Sequence, residues 1–323
     1  MIMTEYNKFF EDYLKKVLKY NKPESLYDPV KYILESGGKR LRPLITLYIS
    51  ELFNGKRTVA LPAAAALEIF HNFTLAHDDI MDNSSIRRGK KTINAKWDDN
   101  TGILSGDVML IISYEILNQY EDSKYVLFSK KLTEISRLVC EGQQADMDFA
   151  SKNDITENEY FEMIKNKTAV LIASSFMFGG IAAETNISNT DLLYKIGLNL
   201  GIAFQLEDDL LDCFGDQEKF GKRIGGDILE KKKTLLYLFT YSKLESEKKL
   251  EFENIFNSNE IEESQKINSI KSFYETSGAL EYLKNKVRVY FNEAEMLIDK
   301  LELDNDTKKK LNLFCKTLLN REI

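Results

Sequence analysis

Proline is nearly missing from this chain of 323 residues, occurring 4 times, and glycine occurs only 16 times. So few breakers exclude a fold of many short strands joined by tight turns and favour long helices rich in Lys, Glu, Leu, Ile and Asn. Cysteine is also sparse. Cys140, Cys213 and Cys315 are odd in number, far apart and without the close spacing of a zinc site, so reduced, buried thiols in the cytosol are expected rather than a disulfide framework. A basic excess is lacking as well: the net charge is -7, which argues against a broad nucleic-acid-binding surface. Any anionic ligand must be met locally. The longest apolar stretch is interrupted by Glu68 and His71 and falls short of the roughly 20 residues of a membrane span. The start, "MIMTEYNKFFEDYLKKV", is amphipathic and charged, unlike a signal peptide. A soluble cytoplasmic protein with no membrane span is expected.

What is abundant is helical periodicity. Tyr6, Phe9, Phe10, Tyr13, Leu14, Val17 and Leu18 follow the three-and-four spacing that gathers apolar groups on one face. Similar segments cover 29–37, 43–53, 60–82, 105–119, 125–150, 157–183, 189–213, 228–243 and 280–320, and none reads as a convincing alternating strand. Breakers fall between them at Asn54-Gly55, Asn83 to Lys91, Ser151 to Asp154, Asn186 to Asn189 and Gly215 to Gly226. With 43% hydrophobic residues, no Ser/Gly/Pro linker and no fixed-period repeat, 1–323 is expected to be one all-α domain. The charge-rich stretch 243–275 is expected to form exposed helices.

Two helix ends carry chemistry. In "HDDIMD", Asp78 and Asp82 lie one turn apart on the same face, with Thr74 and His71 on preceding turns and Asp79 beside them. Three carboxylates at a helix C-terminus face the negative end of the macrodipole and repel one another. A solvated acidic face would explain one such cluster. "QLEDDLLD" repeats the pattern at Asp208, Asp209 and Asp212, after another apolar helix and just before a Gly-containing loop. If the two ends share a cavity, their carboxylates are tolerable there only with cations. Oxygen ligands without a Cys or His set favour a hard ion such as Mg2+, which completes its shell with water and phosphate oxygens. A phosphorylated ligand follows. Calcium buffering is the competing use of such carboxylates, but neither cluster has EF-hand spacing.

Cations accompany each cluster. Arg87 and Arg88 follow the first, in "NSSIRRGKKT", while "SGGKRLRP" upstream crowds Lys39, Arg40 and Arg42 at a helix junction that looks like an anion site. It lacks the order of a Walker loop. Lys222 and Lys231 to Lys233 follow the second cluster, and "MIKNKTAVLIASSFMFGG" places Lys167-Thr168 in an apolar helix, where a cation is least expected without a partner.

In order, "GGKRLRP", "HDDIMDNSSIRRG", "GQQAD", "KTA", "QLEDDLLDCFGD" and "FGKRIGGD" resemble the trans-isoprenyl diphosphate synthase (polyprenyl synthetase) family. The resemblance runs through most of the chain. It implies a helical bundle around a central cavity and a homodimer. The implied activity is Mg2+-dependent condensation of isopentenyl diphosphate with an allylic diphosphate (dimethylallyl, geranyl or farnesyl). It further implies Mg2+ ligands at Asp78, Asp82, Asp208 and Asp212, with Asp79 and Asp209 supporting. The isopentenyl diphosphate site matches Lys39, Arg42, His71 and Arg88. The allylic site matches Arg87, Lys167, Thr168, Gln205, Lys222 and Lys232. One departure is Lys231, where many relatives have Gly, which leaves the assignment among Lys231 to Lys233 open. A nucleophile-base pair is missing from the sequence, in keeping with charge stabilisation by metal and cations.

Phe73 and Phe70 lie five and eight residues before Asp78, or about 7.5 and 12 Å along the axis. With Thr74 they resemble the large floor residues of short-chain synthases, although ordinary core packing explains them equally well. Geranylgeranyl diphosphate is the expected product, with farnesyl diphosphate as the alternative. A terpene cyclase would replace the second cluster with a mixed Asn/Ser/Glu metal motif, and a catalytically silent partner subunit would have lost aspartates or basic anchors.

Overall fold

The computed structural model describes residues 2–20, 22–152, 154–215 and 224–319, and it is helical almost throughout. The helices are α1 (Ile2–Val17), α2 (Glu24–Leu34), α3 (Leu41–Leu52), α4 (Arg57–Met81), α5 (Ile93–Lys96), α6 (Asp99–Leu117), α7 (Asp122–Ser151), α8 (Glu157–Ile164), α9 (Val170–Ala182) and α10 (Ile187–Phe214). After the loop come α11 (Gly226–Leu229), α12 (Leu235–Lys243), α13 (Ser246–Asn257), α14 (Glu263–Thr276), α15 (Ala279–Ile298) and α16 (Asn305–Leu319). Between Asn83 and Lys91, where a loop is expected, β1 (Ile86–Arg87) and β2 (Lys90–Lys91) form a minimal antiparallel hairpin.

Two compact units emerge. One comprises residues up to Ile135 together with Ser174–Tyr194; the other comprises Ser136–Ala173 and the chain from Lys195 onward.

In the first unit, α4 packs against α3 and α6. Ala63, Ala64, Ala65 and Ala66 have no exposure, and their short side chains let neighbouring helices approach closely. Pro62 lies inside α4 and cannot donate to the helix ladder. One residue later, Tyr120 inserts its hydroxyl into the same ladder, accepting from the Ala63 N–H at 3.2 Å and donating to the Val59 carbonyl at 2.6 Å. Among the described residues, α4 alone is long and apolar enough to cross a membrane, and most of it is buried in the protein.

The second unit holds an aromatic core, and it buries Cys213 and Cys315, whereas Cys140, expected to be buried as well, is exposed on α7. Tyr237 of α12 meets Phe252 and Phe256 of α13 at ring distances of 5.2 and 4.6 Å. The stretch expected as exposed helices is therefore only half so. α13 and α14 expose their charged faces, while Phe252, Phe256, Ile270 and Tyr274 are fully buried. Lys and Glu dominate the composition there and mask a sparse apolar stripe at helical spacing.

The segment expected as one helix over 157–183 is interrupted. Thr156 caps α8 in a reciprocal box with Glu159, and Lys165–Ala169 then forms a π-helical turn before α9 begins. That turn is gripped closely. A Cβ on Gly142 of α7 would lie 2.2 Å from the Lys167 amide nitrogen, and one on Gly201 of α10 would lie 2.6 Å from the Ala169 Cα. A π-turn widens the helix by one residue and turns side chains to positions a regular α-helix cannot offer. Gly142→Ala should destabilise the protein by about 1–3 kcal/mol through overpacking, although Gly→Ala in a helix is otherwise stabilising. Chemical denaturation measures this, and an unchanged or raised midpoint would mean that α7 and the turn are not held in contact.

Candidate active site

The first acidic helix end belongs to the first unit. Asp78 is half-buried, Asp82 is exposed and caps α4, and Asp79 is buried at 2% exposure. The Asp82 N–H donates to the Asp78 carbonyl at 2.8 Å, and the Ser84 N–H donates to the Asp79 carbonyl at the same distance, so the chain leaves the helix in a tight, hydrogen-bonded turn. Asp79 does not project with its neighbours. Its Oδ1 accepts from Arg87 Nε at 2.8 Å. Burial pushes its carboxyl up, and Arg87 acts against that shift.

The hairpin aims the two arginines apart. Arg88 and Gly89 occupy its turn with φ of 54° and 74°, the left-handed pair that a two-residue hairpin needs. Arg87 thus returns to Asp79, while Arg88 reaches the helix junction and donates through Nη1 to the Gly37 carbonyl. A Cβ at Gly38 would sit 2.8 Å from the Arg88 guanidinium carbon and would push it aside, and the φ of 130° there favours glycine in its own right. Arg42 is held down to about 10 by burial, with Arg88 adding repulsion. Its Nε is buried with no hydrogen-bond partner among the described residues, as expected of a donor directed toward an anion. Lys39 is exposed at the same junction.

His71 lies in the field of Arg42, Arg88, Arg87 and Arg40. Burial first, and these cations second, hold its imidazole well below its ordinary value near 6.5. It is a neutral hydrogen-bonding group at physiological pH. Upstream of Asp78, Phe70 and Phe73 are buried with ring centroids 5.4 Å apart, and Phe73 also meets the His77 ring edge-on at 4.8 Å. Thr74 returns its hydroxyl to the His71 carbonyl at 2.8 Å.

The second acidic helix end belongs to the second unit and repeats the division of labour with different partners. Asp208 and Asp212 are half-buried, and Asp209 is buried at 4% exposure. Asp209 receives the Tyr160 hydroxyl and, at 2.8 Å, the Gln205 amide Nε2. Gln205 Oε1 in turn accepts from the Thr168 hydroxyl at 2.9 Å. A continuous chain Tyr160–Asp209–Gln205–Thr168 therefore joins α8, α10 and the π-turn. Burial, and after it the neighbouring Asp227, raise the Asp209 carboxyl well above its usual range. Lys167 pairs with Asp146 of α7.

Asp212 turns to the start of α11, where its Oδ2 accepts from the Asp227 N–H at 2.9 Å. The Asp227 carboxyl is pushed up to about 7 by burial and by Asp212. The three consecutive lysines diverge. Lys231 donates to the Asn257 carbonyl at 2.8 Å and Lys233 to the Lys152 carbonyl, whereas Lys232 lies 2.7 Å from Glu230 and 3.8 Å from Asp227. Lys232 alone of the three therefore joins the carboxylates. Lys231 has a φ of 58°, a left-handed backbone that Gly would adopt without strain. Lys222 lies outside the described residues.

Asp146, Tyr160 and Asp227 are contributors that sequence reasoning passed over. Asp146 and Asp227 stand at the ends of the quoted "GQQAD" and "FGKRIGGD", a signal that was there to use; Tyr160 looks like any apolar helix position.

Among the described residues, no three His, Cys, Asp or Glu side chains converge on one point. A hard cation held by one or two carboxylates and completed by phosphate oxygens and water needs no such convergence. The donors suit it: they are carboxylate oxygens crowded by like charge and partly buried, where a cation relieves the repulsion.

Paired acidic helix ends with basic companions on an all-α frame define an isoprenoid-synthase-type prenyltransferase. The polyprenyl synthetase family model matches residues 23–275, and the chain belongs to that family. It is 45% identical over 225 residues to a geranylgeranyl diphosphate synthase of Saccharolobus solfataricus, covering 68% of each chain. A solved geranylgeranyl pyrophosphate synthase aligns with a TM-score of 0.95 and 42% identity over 99% of both chains. A polyprenyl synthase of Caulobacter crescentus CB15, solved with calcium and isoprenyl diphosphate, aligns with a TM-score of 0.87 and 26% identity over 100% of this chain and 98% of that one.

The neutral state of His71 has a thermodynamic signature. Above pH 6.5 the imidazole is neutral whether the chain is folded or unfolded; below it, the unfolded chain takes up the proton and the folded one does not. Folding stability should therefore fall as pH drops from about 6.5 toward 5, and His71→Gln should remove that component. Denaturation midpoints of the two proteins across this range measure it, and parallel curves would contradict a buried neutral imidazole.

Proposed function

We propose that this chain condenses isopentenyl diphosphate head-to-tail (1'-4) with allylic diphosphates to give a short all-trans prenyl diphosphate, with geranylgeranyl diphosphate as the main product. The observation that carries this reading is the arrangement repeated at both acidic helix ends. In each, the middle aspartate is buried and holds a neighbour suited to diphosphate, Arg87 at Asp79 and Gln205 at Asp209. The outer aspartates, less buried than the middle one, are the ones this reading assigns to a cation.

On this reading Asp78, Asp82, Asp208 and Asp212 hold Mg2+. When bound, the metal supplies positive charge against the departing pyrophosphate. The protein's own groups do the rest. Asp79 fixes Arg87 through its Nε, which leaves the two terminal nitrogens of the fork for diphosphate oxygens. Lys39, Arg42 and Arg88 neutralise isopentenyl diphosphate, and neutral His71 adds a hydrogen bond without another charge. Lys167, Thr168, Gln205, Lys222 and Lys232 bind the allylic diphosphate. As the allylic C–O bond breaks, its electron pair leaves on pyrophosphate, and the isopentenyl double bond attacks the allylic carbon. The proton then lost from the isopentenyl carbon passes to pyrophosphate. The chain 1–323 acts as one synthase domain and works as a cytoplasmic homodimer; the family match across both units supports the first of these.

Purified protein supplied with Mg2+, isopentenyl diphosphate and dimethylallyl, geranyl or farnesyl diphosphate should form geranylgeranyl diphosphate, resolved by product chromatography. Chelation should abolish turnover and Mg2+ should restore it, while Asp78→Asn or Asp208→Asn should lower kcat by about a hundredfold or more. If no primer is elongated, the silent-subunit reading replaces this one.

The floor hypothesis has its own readout. Phe73→Ala should shift products beyond geranylgeranyl diphosphate and, because the ring is buried, should cost about 3–5 kcal/mol of stability. A destabilised variant with an unchanged product profile would reduce Phe73 to core packing.

A further inference from the structure

Arg40 stands in the middle of "GGKRLRP" between two candidate diphosphate contacts, yet its side chain faces the interior. It is 4% exposed. Nε donates to Glu11 Oε1 of α1 at 2.6 Å, Nη1 donates to Glu68 Oε1 of α4 at 2.8 Å, and Nη2 donates to the Leu34 carbonyl. Leu34 is the last residue of α2, so this carbonyl is one that helix geometry leaves without an intrahelical partner. One guanidinium fork thus ties three helices together, with Arg40 itself in a left-handed conformation (φ 46°) at the N-cap of α3. Lys39 is exposed and Arg42 half-buried on either side. Asn72 supports the acceptor, its Nδ2 lying 2.8 Å from the Glu68 carbonyl and 3.4 Å from Glu68 Oε1. The far side of the junction is held by Arg88 on the Gly37 carbonyl. Residues 37 to 40 are therefore fixed at both ends by arginines.

We propose that Arg40 is a positioning residue: without touching substrate it sets the placement of Lys39 and Arg42, and Glu11 of the first helix tunes isopentenyl diphosphate affinity through it. This rests on the reading that Lys39 and Arg42 bind isopentenyl diphosphate. Glu11 lies outside the family-matched residues 23–275, so the link would bring a helix beyond that match to bear on the site. Each of the three nitrogens of the Arg40 fork is engaged within the protein, and the residue is almost wholly buried.

Removing Arg40 alone leaves the buried Glu68 carboxylate uncompensated, which confounds folding with function. The informative variant is therefore Arg40→Met combined with Glu68→Met, which removes both buried charges. Its melting temperature should return close to that of the wild type, while its KM for isopentenyl diphosphate should stay raised about tenfold and its allylic KM should change less than about twofold. Glu11→Gln should raise the isopentenyl diphosphate KM about threefold, the allylic KM remaining unchanged. Arg40→Lys keeps a charge beside Glu68 but cannot span three acceptors, and reads the same split should the double variant not fold. Lys39→Ala is the control. If it raises the isopentenyl diphosphate KM and the double variant does not, the positioning role is overturned while the parent assignment stands. If neither changes that KM, the assignment of the junction to isopentenyl diphosphate fails and the proposal falls with it.

Discussion

A carboxylate buried at the negative end of a helix is the constraint on which the rest of this site depends. Helix C-termini repel anions, and burial removes the water that would soften the repulsion. Asp79 and Asp209 endure both conditions, and each unit answers with a different partner. Asp79 takes a cation, Arg87, delivered by a hairpin whose turn reverses the chain within a few residues. Asp209 takes neutral donors, the Tyr160 hydroxyl and the Gln205 amide, which oppose without cancelling the upward shift that burial and Asp227 give its carboxyl. The partner recruited in each case is a side chain, or is bonded to a side chain, that a diphosphate can use. Relieving a local electrostatic problem therefore orders the candidate binding groups as a consequence.

This division also corrects the simplest image of the acidic motifs. All the aspartates of both clusters pointing toward a ligand would pose a repulsion that few cations could balance. Asp79 and Asp209 are committed inside their own units, and of the outer aspartates Asp212 shares its Oδ2 with the Asp227 amide. At each helix end, fewer carboxylates suit a hard ion that prefers phosphate oxygens and water for the rest of its shell.

How much of this was legible beforehand varied with the physical range of the signal. Helix faces such as that of α4 are written in local periodicity, and the acidic repeat together with "GGKRLRP" is visible in the sequence itself. The π-turn around Lys167 was not. It depends on Gly142 and Gly201, which allow two other helices to approach it from distant parts of the chain, and no local pattern records that. Tyr160 was hidden for a related reason, since a buried tyrosine reads as core until the acceptor of its hydroxyl is known. The stretch 243–275 misled in the opposite direction. Its abundant charges are real surface, but a few aromatics at helical spacing decide where the helices sit.

The basic residues pose a harder problem, because adjacent cations repel and adjacent side chains on a regular element have only limited freedom to diverge. The chain solves it with left-handed backbone at Arg40, Arg88 and Lys231, where φ is 46°, 54° and 58°. Each such residue costs about 1–2 kcal/mol relative to a right-handed one, and none of the three is glycine. What the conformation achieves is a change of direction between neighbours. Arg40 turns inward while Lys39 is exposed, Arg88 reaches Gly37 while Arg87 reaches Asp79, and Lys231 is drawn to Asn257 while Lys232 stays with Asp227 and Glu230. In each pair one cation bonds a backbone carbonyl and the other stands beside candidate ligand-binding groups, and Arg88, which bonds the Gly37 carbonyl through Nη1, is itself also a candidate diphosphate contact. A run of basic residues that composition alone would treat as interchangeable is thereby sorted by backbone geometry into anchors and contacts, which is why substituting one member of such a pair cannot stand in for substituting the other.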